Sequence, residues 1–385
     1  MTATAEWLAR LVAEPTVSAT PNRALVERLA GELSALGAVC RVFPDAGGQK
    51  ASLLARIGPA GAGGLMLSGH VDVVPVEGQD WTRPPFALTR GAGRLYGRGT
   101  ADMKGFVAAM LALAGRVHGN ARPLWLALSH DEEVGCVGVR PMLAAMAAEG
   151  LRPELVVVGE PTSLRVGLGH KGKVAFAVTA RGRARHSAEA PLGLNALHLA
   201  ADVMGGLRAL QDEIVATGPR EAGYGVPFTT LHVGRLTGGS AVNLVPAQAE
   251  MLVEVRHLAA ETADDWARRL NDMAEAVVAP LRARFPEAAL MVTETGRYPG
   301  FAARGDEPAI AAFAAGLPGG AGPCRLDFGT EAGLYAQALG VPVVVCGPGD
   351  MAQVHRPDEF IEEDQLVLCD RMLDRAVAQF CAGPG

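Results

Sequence analysis

Four stretches of the chain are almost continuously apolar, and each leads into an ionisable side chain. Leu65-Met66-Leu67-Ser68-Gly69 runs into His70-Val71-Asp72, and Leu124-Trp125-Leu126-Ala127-Leu128-Ser129 into His130-Asp131-Glu132-Glu133. Leu155-Val156-Val157-Val158-Gly159 delivers Glu160, and Val341–Cys346 leads through Gly347-Pro348-Gly349 to His355. Runs this short, rich in Val and Leu and bounded by glycine, predict strands buried on both faces. Between and around them the apolar spacing is helical, predicting helices at 4–13, 22–36, 106–114, 139–148, 308–315, 330–339 and 363–380, the second stopped by Gly37. Val39–Phe43 and Ser52–Ile57 are further strands. Strands alternating with helices in this way predict an α/β fold, a mainly parallel sheet covered by helices on both faces.

The pattern changes near Gly172. Lys173–Ala180 alternates apolar and polar residues, as a strand with one exposed face does. A helix at 194–210, strands at 228–236 and 250–257, a long helix at 262–283 and a strand at 289–295 follow. That order, β-α-β-β-α-β, is ferredoxin-like. It predicts an α+β domain at 173–297 inserted between two parts of the first domain, 1–172 and 298–385.

Composition narrows the function classes. With 385 residues, 49% hydrophobic and 20% charged, the chain has ample material for a large core. A net charge of −6, with no basic tail, argues against nucleic acid or an anionic membrane as partner. No apolar run reaches the length of a membrane span, and Met1–Leu11 lacks a signal-type apolar core. The six cysteines are scattered without a CxxC, so they read as reduced thiols, and a cytoplasmic location is the simplest account.

The chemistry gathers at the C-terminal ends of the four strands, where open α/β sheets bind ligands. Asp102 joins from the glycine-punctuated stretch Gly97-Arg98-Gly99-Thr100-Ala101-Asp102-Met103-Lys104-Gly105. Alone, an Asp ahead of a helix reads as an N-cap. Together, His70, His355 and the carboxylates Asp102, Glu132, Glu133 and Glu160 could not all ionise in one place without a cation. The ligand count exceeds one four-coordinate ion, which points to two divalent ions about 3.5–4 Å apart. Mixed His and carboxylate ligands without thiolate suit zinc, with cobalt or manganese as substitutes. Asp72, two residues from His70, is placed to accept the other ring N–H and fix the tautomer. Of the adjacent Glu132 and Glu133, one is expected to ligate and the other to act as general base.

The stretches Ser68-Gly69-His70-Val71-Asp72-Val73-Val74-Pro75, Gly97–Gly105, Asp131-Glu132-Glu133, Gly159-Glu160-Pro161-Thr162 and His355 together resemble the motif set of the M20 dimetal amidohydrolases. The resemblance implies a zinc-exopeptidase-like catalytic domain with an inserted lid and dimerisation domain. It implies that His70, Asp102 and Glu160 hold one ion and that Asp102, Glu133 and His355 hold the other, with Asp102 bridging and Glu132 as base. It also implies a cis peptide after Asp102.

In the inserted domain, Arg185-His186-Ser187 resembles the family's lid histidine motif, with Ala188 where a second serine is common. The resemblance gives His186 an oxyanion-stabilising role across a homodimer, acting in trans. Gly238–Pro246 resembles the loop that contributes Asn243 to substrate, and Arg256 matches an arginine that clamps a substrate carboxylate. Read without the family, His186 and Arg256 are surface residues. Phe328-Gly329-Thr330-Glu331-Ala332-Gly333, Cys346–Gly349 and Gln353–Glu359 look most like the acetylornithine deacetylases within the family. Glu331 would then either meet a cationic substrate side chain or support the helix it precedes. The expected activity is hydrolysis of N2-acetyl-L-ornithine to ornithine and acetate, a step of arginine biosynthesis. The alternatives are another N-acyl-amino-acid substrate such as succinyl-diaminopimelate or acetylcitrulline, a dipeptidase or carboxypeptidase, or a non-catalytic binding protein on this scaffold.

Overall fold

Along the strand Leu65–His70, Leu65 and Leu67 join one apolar core while Ser68 turns to the opposite face, its hydroxyl 2.9 Å from that of Tyr335. Leu155 and Val157 on one neighbouring strand, and Leu124, Leu126 and Leu128 on the other, keep the same phase. This alternation buries every residue of the three strands, because each face has its own cover. The first face carries the helices Ala3–Val12, Arg23–Ala35, Gly105–Ala114 and Glu363–Phe380. On the other face Val139–Ala148 packs against Ala332–Leu339, the helix that bears Tyr335.

The computed structural model describes residues 2–317 and 322–383. The chain divides into two units, the first comprising Met1–Gly169, Ala302–Arg325 and Thr330–Gly385, the second His170–Phe301 and Leu326–Gly329. In the first, Leu124–Ser129, Leu65–His70, Leu155–Pro161 and Val343–Gly347 lie side by side and parallel. Ala51–Ile57 and Val39–Pro44 extend the sheet antiparallel at one edge. The mainly parallel sheet expected from the apolar runs is therefore present, and its four parallel strands are those that lead into the ionisable residues. A small antiparallel sheet of Thr89–Gly91, Arg94–Tyr96 and Phe360–Glu362 was not legible in the sequence, since three-residue strands are too short to show a period.

The second unit is a four-stranded antiparallel sheet in the order Thr230–Gly238, Gln248–His257, Gly172–Arg181, Ala289–Tyr298. The helices Ala196–Thr217 and Ala263–Val278 pack on each other and on this sheet, which completes the ferredoxin-like arrangement. Gly206 lets the two helices approach, since a Cβ there would lie 2.7 Å from Met273 Sδ. The first helix continues past Leu210 to Thr217 and stops at Gly218, with the Asn195 side chain accepting from Leu197 N–H at its start. The second ends earlier than its apolar period suggests. Pro280 supplies no N–H, and Ala279–Leu281 tightens into a 3₁₀ turn. Among the described residues no helix is long and apolar enough to cross a membrane, and all six cysteines are free.

Candidate metal centre and active site

Asp102 is delivered by a turn in which two glycines permit close packing. Gly99 has φ +84°, and a Cβ there would meet Val73 Cγ1 at 2.7 Å. A Cβ on Gly105 would lie 2.5 Å from the Thr100 carbonyl oxygen and 2.9 Å from Ile361. The helix begins at Gly105, and its capping position is Lys104, so Asp102 is not the N-cap. The Asp102–Met103 peptide is cis. Asp102 is 7% exposed, and its carboxylate faces the strand ends.

The two oxygens of that carboxylate have different partners. Oδ1 lies 3.0 Å from His70 Nε2, and Oδ2 lies 3.2 Å from His355 Nε2. His70 Nε2 is also 3.9 Å from Glu160 Oε1, while His355 Nε2 is 3.1 Å from Glu133 Oε2. Donor atoms of His70, Asp102 and Glu133 all fall within 4.8 Å of one another, as do those of His70, Glu132 and Glu160. His70, Glu133 and His355 thus gather at Asp102, while Glu132 and Glu160 join them through His70, which belongs to both donor groups. The donor set, imidazole and carboxylate, fits a pair of divalent cations such as zinc.

The electrostatics agree. Burial pushes the Glu132 and Glu160 carboxyl groups well above their usual range, and neighbouring carboxylates push further. Glu133 is raised by burial and by Asp102. Burial opposes charge on Asp102 too, but its bonds to His355 and His70 hold its pKa below the usual value. His355 is raised to about 10 by Asp102 and Glu133; His70 rises despite burial, through Asp102 and Asp72. Four carboxyl groups compete for two imidazolium charges, an arrangement that favours added cations.

Around these residues lies a layer that fixes them. His70 Nδ1 meets the backbone carbonyl of Asp72 at 2.9 Å, closer than the Asp72 carboxylate at 3.5 Å, which was the partner expected from the sequence. Either oxygen selects the Nδ1–H tautomer and leaves Nε2 free for a metal. The carboxylate itself accepts from the Ser18 hydroxyl and from the N–H groups of Glu132 and Glu133 at 3.2 and 3.3 Å. It therefore holds the turn that bears both glutamates. Lys50 braces the same turn by pairing with Asp131 at 2.6 Å, and the Cys136 thiol points to Glu132 Oε1 at 3.3 Å. Lys104 is wholly buried and donates to the carbonyls of Leu11 and Glu14. Glu331 is 1% exposed, 3.3 Å from Ser68 Oγ, and burial raises its pKa to about 7. Of the two roles open to it, that burial favours support of the strand and helix ends over contact with a substrate side chain.

Three expected residues lie in the second unit. His186 is exposed, and its Nδ1 accepts from the N–H of Ala188, so the neutral ring carries its proton on Nε2. The Ser187 N–H donates to the carbonyl of the exposed Asn243, and His186 and Leu244 form a β-bridge, so the two loops run together. Arg256 is half-buried, with Nε donating to Glu254 at 2.7 Å and Nη1 to the Tyr298 hydroxyl. Sequence reasoning missed Ser18, Lys50 and the buried pair Arg98–Glu359, whose partners are set by tertiary contacts.

Known proteins are similar to this chain in sequence and in fold. The chain is 35% identical to the acetylornithine deacetylase of Salmonella arizonae over 380 residues, 96% of each chain. Its fold matches an M20 family metallo-carboxypeptidase from Sulfolobus solfataricus with a TM-score of 0.79, at 18% identity and over 98% of this chain and 99% of that one. It also matches a dinuclear metal-binding peptidase of the M20 family from Bacillus subtilis with a TM-score of 0.67, at 15% identity and over 98% and 97% of the two chains. Residues 66–379 match the peptidase family M20/M25/M40, and the chain belongs to that family.

Proposed function

We propose that this hydrolase uses two divalent metal ions, most simply zinc, to cleave the amide of N2-acetyl-L-ornithine, giving L-ornithine and acetate. The observation that carries the metal assignment is the divided carboxylate of Asp102, one oxygen toward His70 and the other toward His355. His70, Asp102 and Glu160 would hold one ion, and Asp102, Glu133 and His355 the other. When bound, the ions supply polarisation of the substrate carbonyl and acidify the attacking water. Glu132 takes the proton of that water and returns it to the leaving amine. Asp72 keeps Glu132 and Glu133 in place through their N–H groups. His186 offers its Nε2–H to the developing oxyanion, Asn243 offers its amide to the substrate, and Arg256 receives the substrate α-carboxylate.

Similarity to the Salmonella arizonae protein along nearly the whole chain supports the choice of acyl amino acid. The test is a panel of N2-acetylornithine, N-succinyl-diaminopimelate, N-acetylcitrulline and simple dipeptides, assayed with zinc and with cobalt. N2-acetylornithine is expected to give the highest kcat/KM, by about tenfold or more over the others. A dipeptide at the top of the panel would replace the deacetylase reading with a peptidase one.

We further infer a homodimer in which His186 serves the partner's active site. Equal amounts of His186→Ala and Glu132→Ala subunits, mixed under exchange, are then expected to regain about a quarter of wild-type activity, since half the dimers pair one intact base with one intact histidine. Activity no greater than that of the two variants apart would place His186 in its own subunit's site or outside the mechanism.

A further inference from the structure

The small sheet that the sequence did not disclose pairs Phe360 with Tyr96, and so brings Glu359 against the turn that carries Asp102. The contact is dense. Glu359 Oε1 accepts from the N–H groups of Ala101 and Asp102 at 2.9 and 3.2 Å. Its Oε2 accepts from Gly99 N–H at 3.0 Å and from Arg98 Nη1 at 2.7 Å. Its backbone carbonyl accepts from Gly97 N–H at 2.9 Å. One residue thereby fixes most of the segment 97–102, and both oxygens of a carboxylate that is 1% exposed are each used twice.

Burying a charged pair is a poor route to stability, since well-packed apolar side chains of similar volume commonly do as well or better. Arg98, also 1% exposed, compensates the charge, and its other Nη donates to Gln79 Oε1 at 2.6 Å. An apolar replacement would lack two adjacent acceptors aimed at consecutive N–H groups, the second of which belongs to Asp102 itself. The same segment bears His355 four residues upstream, so one loop carries both a candidate ligand and the anchor of the candidate bridge.

We propose that Glu359 is a positioning residue that sets the Asp102 carboxylate between the two groups of metal donors by clamping the backbone N–H groups of residues 99–102. This rests on the reading of Asp102 as the bridging ligand. Groups that orient metal ligands typically change metal affinity by about 10–100-fold when removed.

The experiment measures zinc and cobalt affinity by competition with a chelator, alongside thermal melting, for wild type, Glu359→Gln and the double variant Arg98→Met/Glu359→Met. Glutamine presents one oxygen and turns an NH₂ toward groups that are themselves donors, so Glu359→Gln is expected to weaken metal binding by about 10–100-fold and to alter the visible spectrum of the cobalt protein. The double variant leaves no unpaired buried charge. It is expected to recover melting temperature while metal affinity stays weak, a separation that a purely structural role would not produce. Wild-type affinity in a folded Glu359→Gln protein, or recovery of both properties in the double variant, would overturn the proposal. Failure of the underlying reading looks different: wild type itself would take up no metal, or Asp102→Ala would take up as much as wild type.

Discussion

Asp102→Ala is expected to abolish the binding of both metal ions and to lower kcat/KM by about 10³-fold or more, since it removes the one carboxylate common to both proposed ligand sets, with its two oxygens directed at His70 and His355. The measurement is metal content after equilibration with zinc and removal of excess, together with turnover of N2-acetylornithine. Alanine leaves His70 with Glu160 on one side and His355 with Glu133 on the other, two ligands each where zinc requires three or four. An N-cap role would give a different result, a loss of about 1 kcal/mol of stability with metal content unchanged. The helix start at Gly105, with Lys104 in the capping position, already separates Asp102 from that role. Two bound equivalents in Asp102→Ala would remove Asp102 as the bridge.

Apart from Asp102, which comes from a glycine-punctuated turn, the candidate ligands were legible because each follows a strand whose apolar run is unmistakable, and because parallel strands place their C-terminal ends on one edge. His70, Glu160 and the Glu132–Glu133 pair come directly from that rule, and the structure brings them to one place. What holds them there was less visible. Glu359 reaches the Asp102 turn through strands of three residues, and Lys50 reaches Asp131 across 81 positions of sequence. Neither has a local signature, since a buried ion pair is specified by what surrounds it rather than by spacing. Asp72 shows the intermediate case. Its nearness to His70 was readable from alternation, but its carboxylate spends its hydrogen bonds on Ser18 and on the N–H groups of Glu132 and Glu133. The Asp72 side chain therefore acts on Glu132 and Glu133 as much as on the histidine.

The two adjacent glutamates separate through the other large prediction. Both backbones hang from Asp72, but the side chains diverge: Glu133 reaches His355 at 3.1 Å, whereas Glu132 meets the Cys136 thiol at 3.3 Å. Glu132 also lies with His70 and Glu160 as a possible donor group, so the geometry contains a rival in which Glu132 ligates. Substitution by glutamine decides between them, because the amide keeps the shape and loses the basic oxygen. As general base, Glu132→Gln is expected to retain both metal equivalents and to lower kcat by about 10²–10⁴-fold, with KM little changed. Glu133→Gln is expected to weaken metal binding instead, with activity partly restored by added zinc. The acid limb of the kcat profile, which reports the base, should disappear in Glu132→Gln and persist in Glu133→Gln assayed with saturating metal. If Glu132→Gln instead released one equivalent of zinc and regained turnover when zinc was added, Glu132 would be the ligand, and the base would have to be sought in its neighbour.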